Sequence, residues 1–254
     1  MRNGLLKALC CAAAALAASA ATHAVTLTPV DLPRPEGTRH YLLAVPDTAT
    51  SPKRALVILL HGHGGSAAQL LGRERSAAPM SLWLRIADRE GVLVAAPDGA
   101  VGRDGRRGWN DCRGDAANNP QVDDVGFVTD IIHREVAQHG ADPSRVFVMG
   151  MSNGGMMALR LAIELGSTLA GFASVSASMA AHSACPVLNV PVSALIIAGT
   201  HDPLVPYAGG DVRLRSSHPR GAVIGVETAI ATWRDTIGLP VEPASVTSLP
   251  HRDP

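Results

Sequence analysis

The sequence predicts an α/β fold, a mostly parallel sheet with helices on both faces, and three observations carry that expectation. Residues 55–60 (ALVILL) are an unbroken apolar run of the kind that forms a strand buried on both faces. Residues 146–149 (VFVM) are a second such run. It stops at Gly150 and passes through Met151, Ser152 and Asn153 into a helical pattern over residues 156–165. Elsewhere, segments with helical spacing alternate with short apolar ones, the order of a parallel sheet. With 254 residues, 46% hydrophobic and only 17% charged, the chain can bury one such core. It shows no repeat or low-complexity linker that would mark a second module.

Residues 1–24 read as a signal peptide. Arg2 and Lys7 give the positive start, residues 5–21 an apolar region short for a membrane span, and small residues near 18–24 a cleavage site. The mature chain, 25–254, is therefore expected to be exported, periplasmic or extracellular, without a membrane anchor. Cys10 and Cys11 leave with the signal. Cys112 and Cys185 remain, an even pair in an oxidising compartment, and are expected to be bridged. Equal totals of 22 basic and 22 acidic residues provide no field for nucleic acid or anionic lipid. A neutral or modestly charged small molecule or polymer is the expected substrate.

In chain order, residues 39–45 (RHYLLAV) make the first expected strand, ended by Pro46. The strand at 55–60 runs into His61-Gly62-His63-Gly64-Gly65, where glycines allow backbone N–H groups to approach a substrate oxygen. Two histidines with no acidic or thiol partner nearby make a poor metal site, so no metal is expected and both side chains are read as structural. Residues 81–90 form a helix stopped by Gly91, and 92–96 a strand ending in Pro97-Asp98-Gly99. The polar excursion over residues 100–122 is expected to wall a pocket. Its Trp109 is either an anchor for the loop or a surface on which substrate stacks. Asp123 and Asp124 open a helix over 125–138, suited to capping and to the helix dipole, and Gly140 ends it.

The chemistry centres on Gly150-Met151-Ser152-Asn153-Gly154, a GxSxG pattern between strand and helix. Such a turn strains the serine backbone, and only small neighbours let strand and helix come close enough to push the hydroxyl outward. Ser152 is the expected nucleophile. The amides of Asn153 and His63 are the expected oxyanion donors. The acid of a triad belongs in a loop after the strand at 171–176 or the strand at 193–198; residues 176–184 hold no carboxylate, whereas Asp202 lies just past the second strand. Asp202 is the expected acid, with Asp211 a distant second.

Taken together, HGHGG, PDG, WNDC, VDDVGF, RVFVMGMSNGGMMA and GTHDPLVPY resemble the poly(3-hydroxybutyrate) depolymerase-like esterases. That group overlaps the feruloyl and acetylxylan esterases of carbohydrate esterase family 1, within the α/β-hydrolases. The resemblance spans residues 38–250. It implies Ser152 as nucleophile, Asp202 as triad acid, and secreted ester hydrolysis without a cofactor, on hydroxyalkanoate oligomers or on feruloyl or acetyl esters of polysaccharide. One departure stands out. The Gly-rich stretch in which this group places its triad histidine, after a final strand, does not occur, and beyond Asp202 the sequence holds only His218 and His251. The expectation is a C-terminally truncated chain lacking its last strand and triad histidine, with residues 193–198 left as an apolar sheet edge, poor solubility and little turnover. A non-catalytic relic, or a serine exopeptidase of the prolyl-oligopeptidase type, are the alternatives.

Overall fold

The computed structural model describes residues 25–47, 53–74, 80–186, 190–213 and 220–250. The expected signal peptide, and with it Cys10 and Cys11, lies outside the described residues, as do His218 and His251.

Seven strands form one sheet: β1 (Val25–Leu32), β2 (Arg39–Pro46), β3 (Arg54–Leu60), β4 (Leu93–Pro97), β7 (Ala141–Met151), β8 (Gly171–Val175) and β9 (Ser193–Ile197). Their spatial order is β1-β2-β4-β3-β7-β8-β9. β1 and β2 are antiparallel to their neighbours, and the five strands from β4 to β9 run parallel. The sheet is therefore mostly parallel, as the apolar runs predict. β1 was not foreseen; its alternation VTLTPVDL buries only one face, and Pro29 is tolerated because the strand is at the sheet edge. Two short hairpins lie outside the sheet, β5 (Ala100–Val101) with β6 (Arg107–Gly108), and β10 (Gly209–Asp211) with β11 (Ala222–Ile224).

The helices are α1 (Ala67–Leu70), α2 (Leu82–Glu90), α3 (Asp124–His139), α4 (Asn153–Glu164) and α5 (Val226–Thr236). Alternate residues of β3 show why both faces need helices. Leu56, Ile58 and Leu60 pack with Phe127 and Ile131 of α3, Leu161 of α4 and Trp233 of α5, while Val57 and Leu59 pack with Leu70 of α1 and Ala87 of α2. α3 starts where Asp123 Oδ1 accepts the Gly126 N–H at 2.8 Å and stops at Gly140, whose φ of 68° fits a residue without Cβ.

Asp124, read from sequence as a second capping carboxylate, is wholly buried instead. It accepts from Arg39 Nη2 and from the Asn110 N–H, both at 2.7 Å, tying β2 to the long excursion. At the far edge, β9 pairs only with β8 among the described residues, and Leu195 and Ile197 are about half exposed. Residues 239–250 carry no regular structure and are exposed.

Candidate active site

The serine turn is as tight as its glycines imply. A Cβ on Gly150 would lie 2.0 Å from the Gly154 carbonyl oxygen, and one on Gly154 would lie 2.4 Å from the carbonyl oxygens of both Leu60 and His61. No side chain fits at either position. Between them Ser152 has φ 54° and ψ −123°, a backbone state that L residues rarely adopt and that aims the side chain away from both strand and helix. The strain is held by two bonds, Ser152 N–H to the Val175 carbonyl and Met156 N–H to the Ser152 carbonyl, both 2.9 Å.

α4 begins directly after Ser152, so the Asn153 amide, first in the helix, has no intrahelical acceptor. The Gly-rich loop after β3 faces it: a Cβ on Gly62 would sit 3.6 Å from Ser152 Cβ. Within that loop the amides of Gly64 and Gly65 are spent on the carbonyls of Arg107 and Gly62, whereas the His63 amide bonds to no group among the described residues. Among the described residues, then, the Asn153 and His63 amides are without a backbone partner, and both residues line one recess with Ser152. The His63 side chain faces the same recess as Ser152, together with Arg113, Asn153, Met156 and Arg220.

His61 has a different job. Its ring is buried, Nε2 accepting the Gly99 N–H at 2.9 Å and Nδ1 donating to the Gly62 carbonyl at 2.7 Å. Burial holds its pKa below the ordinary histidine value, which keeps the ring neutral and that bonding pattern fixed. It joins the Gly-rich loop to the end of β4.

Trp109 corrects one of the two sequence readings. The indole is entirely buried, so no face is open for substrate to stack on. Its Nε1–H donates to the His61 carbonyl at 2.8 Å, and its backbone pairs with the Asn153 side chain. It is the loop's anchor. The rest of the excursion is fixed just as firmly. Asp111 accepts from Asn153 Nδ2 at 2.7 Å and clamps Arg113 through Nε and Nη2, and both residues are buried. The disulfide between Cys112 and Cys185, with the Gly114 N–H to His182 carbonyl and Ala184 N–H to Cys112 carbonyl bonds, sews this loop to the segment after β8.

Asp202 follows β9. Because β7, β8 and β9 are parallel neighbours, Asp202 and Ser152 leave the same, carboxyl, end of the sheet, two strand spacings or roughly 10 Å apart across it. One carboxylate oxygen, Oδ1, accepts the N–H groups of Leu204 and Val205 at 2.8 and 3.0 Å. That fixes the group and leaves Oδ2 unbonded among the described residues. The loop itself is anchored by Val205, packed against Met156 of α4. Asp211, the second candidate, is exposed on the β10–β11 hairpin. Among the described residues no histidine bonds to Asp202 or to the Ser152 hydroxyl. Sequence reasoning missed Arg113, Asn119 and Arg220 at the recess.

Comparison with known proteins agrees with this architecture. The family model described as Phospholipase/Carboxylesterase matches residues 44–214. The chain is 35% identical over 175 residues to the putative esterase NocK of Nocardia uniformis subsp. tsuyamanensis, covering 68% of this chain and 47% of that one. It is 30% identical over 123 residues to a poly(3-hydroxybutyrate) depolymerase of Ralstonia pickettii, covering 48% and 25%. With feruloyl esterase B of Piromyces equi it shares 29% over 217 residues, covering 82% and 37%. The chain thus spans about half or less of the length of these relatives. A solved thermostable esterase shares the fold at a TM-score of 0.51 and 16% identity, over 84% of this chain and 51% of that one. With more than half of its residues matched by that family's model, this chain belongs to the phospholipase/carboxylesterase family of α/β-hydrolases.

Proposed function

We propose that the chain is a secreted serine esterase that cleaves carboxylic esters through an acyl-enzyme. The observation that carries this reading is the backbone of Ser152, held at φ 54° between two glycines that admit no side chain. In the proposed mechanism an imidazole steered by Asp202 Oδ2 takes the Ser152 proton, and the serine oxygen attacks the ester carbonyl. The amides of Asn153 and His63 donate to the oxyanion as it forms. Loss of the alcohol leaves an acyl-serine, which water then hydrolyses by the same route.

The substrate classes are those carried by the relatives' names, oligomers of hydroxyalkanoates or feruloyl esters, with the acetyl esters implied by the sequence resemblance beside them. Export is supported by the Cys112–Cys185 bridge, which favours an oxidising compartment. Among the described residues no helix is long and apolar enough to cross a membrane.

The test is hydrolysis of p-nitrophenyl butyrate by the parent and by Ser152→Ala, with and without added imidazole. Turnover that depends on Ser152 and rises with imidazole in the parent alone supports the reading. Equal rates in parent and variant overturn it.

A further inference from the structure

Two buried guanidinium groups border the recess into which Ser152 opens, and they are not equivalent. Arg113 is saturated. Its Nε and Nη2 grip the Asp111 carboxylate and its Nη1 donates to the Arg220 carbonyl. Charge and hydrogen bonds are both met, so Arg113 builds the wall.

Arg220 is less well served. Its Nη2 lies against both Asp104 Oδ2 and His63 Nε2, and its Nη1 lies 3.4 Å from His63 Nδ1, a long contact. His63 Nε2 also lies 3.0 Å from Asp104 Oδ2, so Arg220 Nη2, the imidazole edge and one carboxylate oxygen share a single cluster. Burial first, and the Arg220 charge second, hold His63 below its ordinary pKa, so the ring adds no charge of its own. The Arg220 Nε–H is buried with no acceptor among the described residues. Arg220 is 6% exposed, and among the described residues its one ion pair is with the partly exposed Asp104, in the turn between β5 and β6. A planar fork of N–H donors with one carboxylate partner and an unpaired Nε–H among the described residues, in the recess that Ser152 also lines, has the chemistry of a carboxylate receptor.

We infer that Arg220 is a specificity-determining residue that binds a free carboxylate on the ester substrate, so that the recess selects monoanionic esters such as the acid end of a hydroxy-acid oligomer over neutral esters. The inference rests on the esterase reading and narrows it. Asp104 competes with the substrate for the same guanidinium, and it therefore sets the affinity as well as the position of Arg220.

Calorimetric titration tests this without turnover, using Ser152→Ala as the binding protein. The linear dimer of 3-hydroxybutyric acid is expected to bind at least about tenfold more tightly than its methyl ester, the worth of a charge-assisted hydrogen bond. Adding Arg220→Gln should erase that preference. Adding Asp104→Asn, a change at a partly exposed position, should tighten binding of the acid severalfold and leave the methyl ester unchanged. This variant decides the matter if Arg220→Gln fails to fold. Equal binding of acid and methyl ester, absence of acid binding, or no gain in Asp104→Asn would overturn the inference. Hydrolysis of p-nitrophenyl butyrate by the parent, a neutral ester, reports separately on the esterase reading.

Discussion

The side chain of Asn153 and the backbone of Trp109 form a two-way amide pair, Trp109 N–H donating to Oδ1 at 2.8 Å and Nδ2 donating to the Trp109 carbonyl at 3.2 Å. Asn153 thereby links the serine turn to the loop that walls the recess. Replacing it with alanine strands the buried Trp109 N–H and removes a donor from buried Asp111. Asn153→Ala should cost about 2–3 kcal/mol of stability by denaturant unfolding. A change under about 0.5 kcal/mol would mean that the loop is held by other contacts.

Trp109 offers a cleaner separation of anchoring from substrate contact. Trp109→Phe keeps most of the buried volume and loses the bond to the His61 carbonyl, so about 1–2 kcal/mol of stability should go while KM for a small ester stays the same. A rise in KM without loss of stability would restore the stacking role.

The bridge between Cys112 and Cys185 closes a segment with a sequence separation of 73. On chain-entropy grounds a crosslink of that span is worth about 4 kcal/mol. The Cys112→Ser, Cys185→Ser double variant should unfold at correspondingly lower denaturant. Two titratable thiols in the denatured, unreduced mature chain, residues 25–254, would refute the bridge itself.

His61 predicts a pH dependence. Burial holds its folded pKa below the ordinary value of about 6.5, so as pH falls through that value the unfolded chain takes up a proton that the folded chain does not. The stability it contributes is complete above about pH 6.5 and is lost towards the folded pKa, at up to about 1.4 kcal/mol per pH unit. His61→Gln should flatten this part of the stability profile, measured as the denaturant midpoint between pH 7 and pH 5. An unchanged slope would place the acid sensitivity elsewhere.

The parts that could be read from sequence are those whose physics is local. The apolar runs of β3 and β7, the cap at Asp123, the stop at Gly140 and the two glycines around Ser152 each follow from a few adjacent residues. β1 escaped notice because an edge strand buries one face only and tolerates proline, so its pattern is faint. Asp124 looked like a cap because its partner Arg39 is 85 residues away in sequence. Arg220 is tied to Asp104 and Arg113 across separations of 116 and 107 residues, and nothing in its neighbourhood foretells burial. Trp109 presented two roles of equal weight until burial chose one.

The central claim is that Ser152 carries the reactive hydroxyl. Peptide mapping after treatment with a fluorophosphonate, in the presence of imidazole, tests it most directly. The account predicts a single adduct, on Ser152, absent from Ser152→Ala. An adduct on another serine, or no adduct at all, would contradict it.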